Sequence, residues 1–136
     1  MRSSYTYLYT HFIWSTWKRL DLIDPEYEHI LYQLITEKIT EHKCQLISIG
    51  GTEDHIHVLV NINPVISVSK LIKEVKGYSS YAMGNLVNPG SPFKWQGGYG
   101  ALSVSPGAVS RISKYIKDQK MHHQDETIIL KWNYDN

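Results

Sequence analysis

Along the 136 residues, stretches where apolar and polar positions alternate are interleaved with stretches where apolar positions recur at helical spacing. Residues 5–16, YTYLYTHFIWST, are aromatic and β-branched and predict a strand. Period-two alternation puts Tyr5, Tyr7, Tyr9, His11 and Ile13 on one face and Thr6, Leu8, Thr10, Phe12 and Trp14 on the other. After a charged connection, Asp24-Pro25-Glu26 predicts a helix start, with Asp as N-cap and Pro at the first helical position. Ile30, Leu31, Leu34, Ile35 and Ile39 continue that helix to about residue 43. Residues 44–49 predict a second strand closed by Gly50-Gly51, and residues 55–63 a third, paired with it through a short turn and ended by Pro64.

Ser67 suits the cap of a second helix over 68–85, with Leu71, Ile72 and Val75 facing inward. A Pro/Gly-rich loop over 86–98 precedes a weak fourth strand at 99–105. Ser105-Pro106 opens a third helix to about residue 123. The tail, apolar at residues 128–130 and at Trp132, is expected to dock. The order β-α-β-β-α-β-α matches the ferredoxin-like split βαβ unit in its first six elements. The expectation is an α+β fold in one domain over 1–136: one antiparallel sheet, two helices on one face, and a C-terminal helix for the other face or an end.

Composition narrows the setting. A lone cysteine, Cys44, excludes an internal disulfide and points to a reducing cytoplasm. No apolar run is long enough to span a bilayer, and the first residues lack a signal-peptide pattern. Net charge is only +1, but it is unevenly spread. Residues 1–69 carry five Lys/Arg against eight Asp/Glu, and residues 70–136 carry nine against five, so the second half can present a basic face.

The third strand opens with Asp54-His55-Ile56-His57. On a strand His55 and His57 project from the same face, with Cα atoms about 6–7 Å apart, while Ile56, Val58, Val60 and Ile62 face the core side. The spacing suits two imidazoles on one metal ion, with Asp54 steering a ring from behind. It equally describes a hydrogen-bonded surface pair. In the third helix Tyr115 and Gln119 stand four apart, and Arg111, Lys114, Lys117 and Lys120 form a basic stripe. A phenol, an amide and several cations suit phosphate chemistry. In isolation, an edge-of-core tyrosine and a solvated lysine face describe them better.

Taken together, these segments resemble the single-tyrosine transposases of the insertion-sequence 200/605 family, within the His-hydrophobic-His endonuclease superfamily. The resemblance runs through five stretches in order: residues 11–19, HFIWSTWKR; residues 51–60, GTEDHIHVLV; residues 72–80, IKEVKGYSS; residues 95–101, WQGGYGA; and Tyr115-Ile116-Lys117-Asp118-Gln119 with His122-His123. Trp17 stands where the family commonly has lysine, and Asp118 where it frequently has Asn.

The resemblance implies a metal-dependent enzyme that cleaves and rejoins single-stranded DNA at mobile-element ends. Tyr115 would be the nucleophile, forming a 5′-phosphotyrosine link. His55, His57 and Gln119 would hold Mg2+ or Mn2+, and this nitrogen-rich set favours manganese. It also implies a homodimer in which the tyrosine helix of one subunit completes the metal site of the other, although the sequence leaves cis or trans delivery of Tyr115 open. It implies DNA with hairpin ends, contacted through His11, Lys18, Arg19, Lys73, Lys76, Lys94, Arg111 and Lys114. The alternative within the same family is a domesticated hairpin-DNA endonuclease or binding protein. Outside it stand a metallohydrolase using His55, His57 and Asp54 with water as nucleophile, and a plain interaction module.

Overall fold

The computed structural model of the chain describes residues 4–121. Four strands, β1 (Tyr9–Ser15), β2 (Gln45–Gly51), β3 (His55–Asn61) and β4 (Gly100–Ser103), form one sheet in the order β2-β3-β1-β4. Every neighbouring pair is antiparallel. Three helices, α1 (Glu28–Glu41), α2 (Val68–Ala82) and α3 (Val109–Lys117), complete the expected α+β arrangement.

Alternation along the strands divides the sheet's two faces. Phe12 and Trp14 of β1 and Ile56, Val58 and Val60 of β3 meet Leu31, Ile35 and Ile39 of α1 and Leu71, Ile72 and Val75 of α2 in the core. Each such side chain, fully buried, contributes about 1.5–3 kcal/mol. His11, Ile13, Ser15, His55, His57 and Leu59 occupy the opposite face, and they are buried too. The cover there is α3, whose Ser113 carbonyl accepts from Ser48 Oγ of β2 (3.2 Å). Two covered faces explain why six consecutive residues, His55 to Val60, are all buried.

The structure departs from the sequence expectations at five places, the first being β1, which spans Tyr9–Ser15 and leaves residues 5–8 outside the strand. α1 starts at Glu28, because Asp24 caps a turn instead: its Oδ1 accepts from Glu26 N and its carbonyl from Tyr27 N, each at 2.9 Å. β2 runs through Gly50-Gly51 rather than stopping before them. The 86–98 loop contributes to the core through Phe93 and Trp95, whose rings meet edge-on at 4.8 Å. Trp95 Nε1 donates to the buried Ser79 Oγ (3.0 Å), so the indole enters the core with its polar atom satisfied. The third helix is not continuous over 106–123. A 3-10 turn (Pro106–Ala108) leads into α3, Asp118 ends it, and Gln119–Met121 forms a second 3-10 turn. His122, His123 and the expected docking tail lie outside the described residues.

Gly50 has a specific steric reason. A Cβ there would sit 2.1 Å from the Ile116 carbonyl oxygen of α3. Only a residue without a side chain lets the two backbones approach this closely. Substituting Gly50→Ala is expected to push α3 off the sheet and lower stability by roughly 1–3 kcal/mol. Hydrogen exchange should show faster exchange in residues 109–117 with the α1–α2 core unchanged.

Candidate active site

The face under α3 gathers the polar residues. His55 and His57 stand on β3, where Ser15 and Ile13 of β1 are their cross-strand partners. Both are buried, with exposures of 5% and 1%. Their rings meet edge-on with centroids 5.2 Å apart. From α3 and its following turn come Tyr115 and Gln119. The Tyr115 ring stands perpendicular to that of His57, centroids 5.8 Å apart. Gln119 is buried, its Oε1 3.2 Å from His55 Nε2, and its Nε2 donates to the Tyr115 carbonyl (3.4 Å). The break at Asp118 therefore does not separate the pair that helical spacing had placed together.

The outer atoms of both imidazoles are engaged. His55 Nδ1 is 2.7 Å from Asp54 Oδ1, which also accepts from Thr52 Oγ1 (3.0 Å). Arg19 Nη2 pairs with the other carboxylate oxygen of Asp54 at 3.2 Å. Burial alone would raise the Asp54 carboxyl. The hydrogen bond with His55 and the Arg19 charge outweigh it and hold the group down at about 2. An ionised Asp54 assigns the Nδ1 proton to His55, which leaves Nε2 as the ring atom available to a ligand.

On His57, Nδ1 lies 2.8 Å from His11 Nε2. Burial pushes His57 down to about 2, with the charges of His11 and His55 adding to the effect, and burial brings His11 to about 4. Both rings are therefore neutral at physiological pH.

His55 Nε2 and Gln119 Oε1, both atoms that can ligate a cation, thus face each other. The buried Nε2 of His57 has no hydrogen-bond partner among the described residues. Oxygen and nitrogen donors at right angles around an ion at about 2.1 Å lie about 3 Å apart, so the observed 3.2 Å suits a shared divalent cation. Among the described residues no three His, Cys, Asp or Glu side chains form a ready ligand set. The amide of Gln119 would be the third donor, and with it the residues present fit the metal that the resemblance implied.

The remaining predicted residues separate. A groove of about 340 Å³ runs beside the site, lined by His11, Leu102, Ser103, Arg111, Ile112 and Tyr115 among others. His11 forms part of its wall yet is only 3% exposed, so it belongs to the site's interior and not to an outer DNA-binding face. Arg111 and Lys114 are exposed on α3. Arg19 is committed to Asp54. Lys76 donates to the carbonyls of Gln96 (2.7 Å) and Gly98 (2.6 Å), which ties α2 to the 96–98 loop and leaves its amine occupied. Lys73 is exposed on α2, on the far side of the sheet from the histidines. Lys18 and Lys94 are exposed, and their amines lie 5.6 and 4.0 Å from the Trp17 ring centroid. Sequence reasoning missed the His11–His57 pair. Its trace was present in the shared strand face, since Ile13 opposes His57 and His11 is two residues from it.

Comparison with known proteins settles the family. Residues 4–119 match the family described as "Transposase IS200 like". The chain belongs to the IS200-like transposase family. It is 25% identical over 122 residues to the ISDra2 transposase TnpA of Deinococcus radiodurans, a match covering 80% of this chain and 81% of that protein. It is similar to the crystal structure of a candidate transposase from Deinococcus radiodurans, at 25% identity and a TM-score of 0.67, over 88% of this chain and 95% of the other. The fold also matches a REP-associated tyrosine transposase solved with a REP hairpin, at 15% identity and a TM-score of 0.62, over 85% of this chain and 68% of the other. Among the described residues of this IS200-like transposase, no helix is long and apolar enough to cross a membrane.

The Asp54 brace makes a testable statement about acid stability. Its folded-state pKa lies below the ordinary 3.8, so its contribution is fully present above about pH 4 and is lost as pH falls towards 2. Partial solvation of the ion pair limits this to on the order of 1 kcal/mol. Urea midpoints of wild type and Asp54→Asn should differ at pH 5 and converge as pH approaches 2.

Proposed function

We propose that the chain is a metal-dependent single-stranded DNA endonuclease and strand transferase whose nucleophile is Tyr115. The observation that carries this reading is the placement of Tyr115 edge-on to His57 by the same segment that brings Gln119 to His55. In the first step the Tyr115 phenol oxygen forms a bond to the scissile phosphorus, the P–O3′ bond breaks, and the phenol proton ends on the departing 3′ oxygen. The product is a 5′-phosphotyrosine link and a free 3′-OH. Attack on that link by a 3′-OH reverses the sequence and rejoins DNA, so neither water nor a nucleotide is consumed. A bound divalent cation, Mn2+ or Mg2+, held by His55, His57 and Gln119, would draw charge from the phosphate oxygens.

The chain's own residues supply the rest. Arg111, one helical turn before Tyr115 and in the same groove, is placed to counter phosphate charge. Trp17, with the amines of Lys18 and Lys94 about its ring, offers a stacking surface and cations for unpaired nucleotides. This cluster lies at the histidine end of the sheet, because Thr16 N donates to the Asp54 carbonyl (2.9 Å). Hairpin-ended DNA as substrate and a homodimeric assembly are part of the proposal. The fold shared with the hairpin-bound REP-associated transposase supports the former.

A denaturing gel with labelled single-stranded DNA from the element's ends, plus manganese, tests the nucleophile. A covalent protein–DNA band is expected from wild type and none from Tyr115→Phe. Cleavage that survives in the variant would point instead to a water nucleophile.

Within a dimer, each site is expected to use its own tyrosine, because α3 docks on β2 of the same chain at Gly50. Mixing His57→Ala with Tyr115→Phe protein should then leave the covalent band absent. Restoration of the band on mixing would mean that each tyrosine serves its partner's histidines.

A further inference from the structure

We propose that His11 is a positioning residue for the metal site: it holds the His57 ring so that Nε2, and not Nδ1, is the free donor. The inference rests on the metal-site reading above and adds a residue to which the resemblance gave a different role. His11 sits in the middle of β1, diagonal to His57 on the same buried sheet face. Its Nε2 is 2.8 Å from His57 Nδ1, with the ring centroids 5.0 Å apart and the planes tilted by 31°.

A hydrogen bond between two imidazole rings needs one N–H and one lone pair, so the 2.8 Å contact has two arrangements. If His11 donates, His57 must carry its own proton on Nε2. That atom is buried with no well-formed hydrogen bond, the Gln119 side chain being the group that faces the ring, and a protonated Nε2 cannot ligate a cation. If His57 donates from Nδ1, His11 accepts, and the lone pair of His57 Nε2 faces Tyr115 and Gln119. Only the second arrangement leaves His57 Nε2 able to bind a cation.

The two metal histidines are then braced from behind by different chemistry. Asp54, backed by Arg19, holds His55 with a carboxylate, whereas His11 holds His57 with a neutral ring. Outer partners of metal-binding imidazoles set the tautomer and ring orientation, and their loss typically weakens metal affinity 10–100-fold. His11 also lines the groove beside Tyr115, so the experiment must separate positioning from DNA contact.

Manganese binding measured by calorimetry without DNA reads positioning directly. His11→Gln keeps an acceptor at the reach of the lost Nε2 and is expected to bind Mn2+ within about threefold of wild type. His11→Phe and His11→Leu remove the acceptor and are expected to bind about 10–100-fold more weakly. Hairpin-DNA affinity without metal should be unchanged in all three. Mn2+ binding at wild-type strength by His11→Phe, alongside its loss in His57→Ala, would overturn the role of His11 and leave the metal site standing. Wild-type Mn2+ binding by His57→Ala would overturn the metal-site reading itself. Loss of metal-free DNA affinity with Mn2+ binding intact would make His11 a DNA contact and overturn the proposal. Long-range proton–nitrogen NMR of unsubstituted protein with zinc gives a check that needs no folded variant. His57 is expected to carry its proton on Nδ1, and a proton on Nε2 would overturn the inference.

Discussion

The contact between the Ile116 carbonyl and the bare Cα of Gly50 governs the geometry of the polar face. At that point α3 lies directly on β2, closer than any side chain on the strand would permit. The depth of this seat sets the height of Tyr115 and Gln119 above the two histidines, since all belong to short, regular elements anchored within a few residues of it. Ser48, two residues earlier on the same strand face, adds a hydrogen bond to the Ser113 carbonyl. Lys120, beyond the helix, pairs with Glu28 at 2.7 Å and reaches the Gly51 carbonyl at 3.3 Å. A backbone-to-backbone contact is stiff, so the site inherits rigidity from the sheet and not from side-chain packing.

This seat has an electrostatic consequence. Covering the sheet removes water from His11, His55, His57 and Gln119 at once, and the two histidines most affected lose their tendency to charge. Neutral imidazoles are metal ligands, and charged ones are not. Burial therefore selects the protonation state that the proposed chemistry requires, while Asp54 and Arg19 keep a formal charge pair just behind His55. The same side chains left on an open strand would titrate near neutrality and repel a cation for part of the physiological range.

The basic residues show how differently like-charged side chains are used. Arg19 and Lys76 are structural, one bracing a carboxylate and the other bridging two carbonyls of the 96–98 loop. Lys18, Lys94, Arg111 and Lys114 remain exposed. A charge count along the chain cannot distinguish these groups, because their partners lie far away in sequence. Asp54 is 35 positions from Arg19, and Gln96 is 20 positions from Lys76.

Periodicity by itself determined the strands, the core faces of α1 and α2, and the common face of His55 and His57, because side-chain direction follows from local backbone repeat. Five ordered motifs were enough to point to the family. Boundaries set by capping and steric fit were less legible: Asp24 has the chemistry of a helix cap and caps a turn, and Gly50-Gly51 reads as a turn and lies in a strand. The burial of Trp95 in a Pro/Gly-rich loop, the docking of α3 over the histidines and the pairing of His11 with His57 were decided only by the tertiary structure. Each depends on which distant segment reaches a given surface, and no local pattern records that.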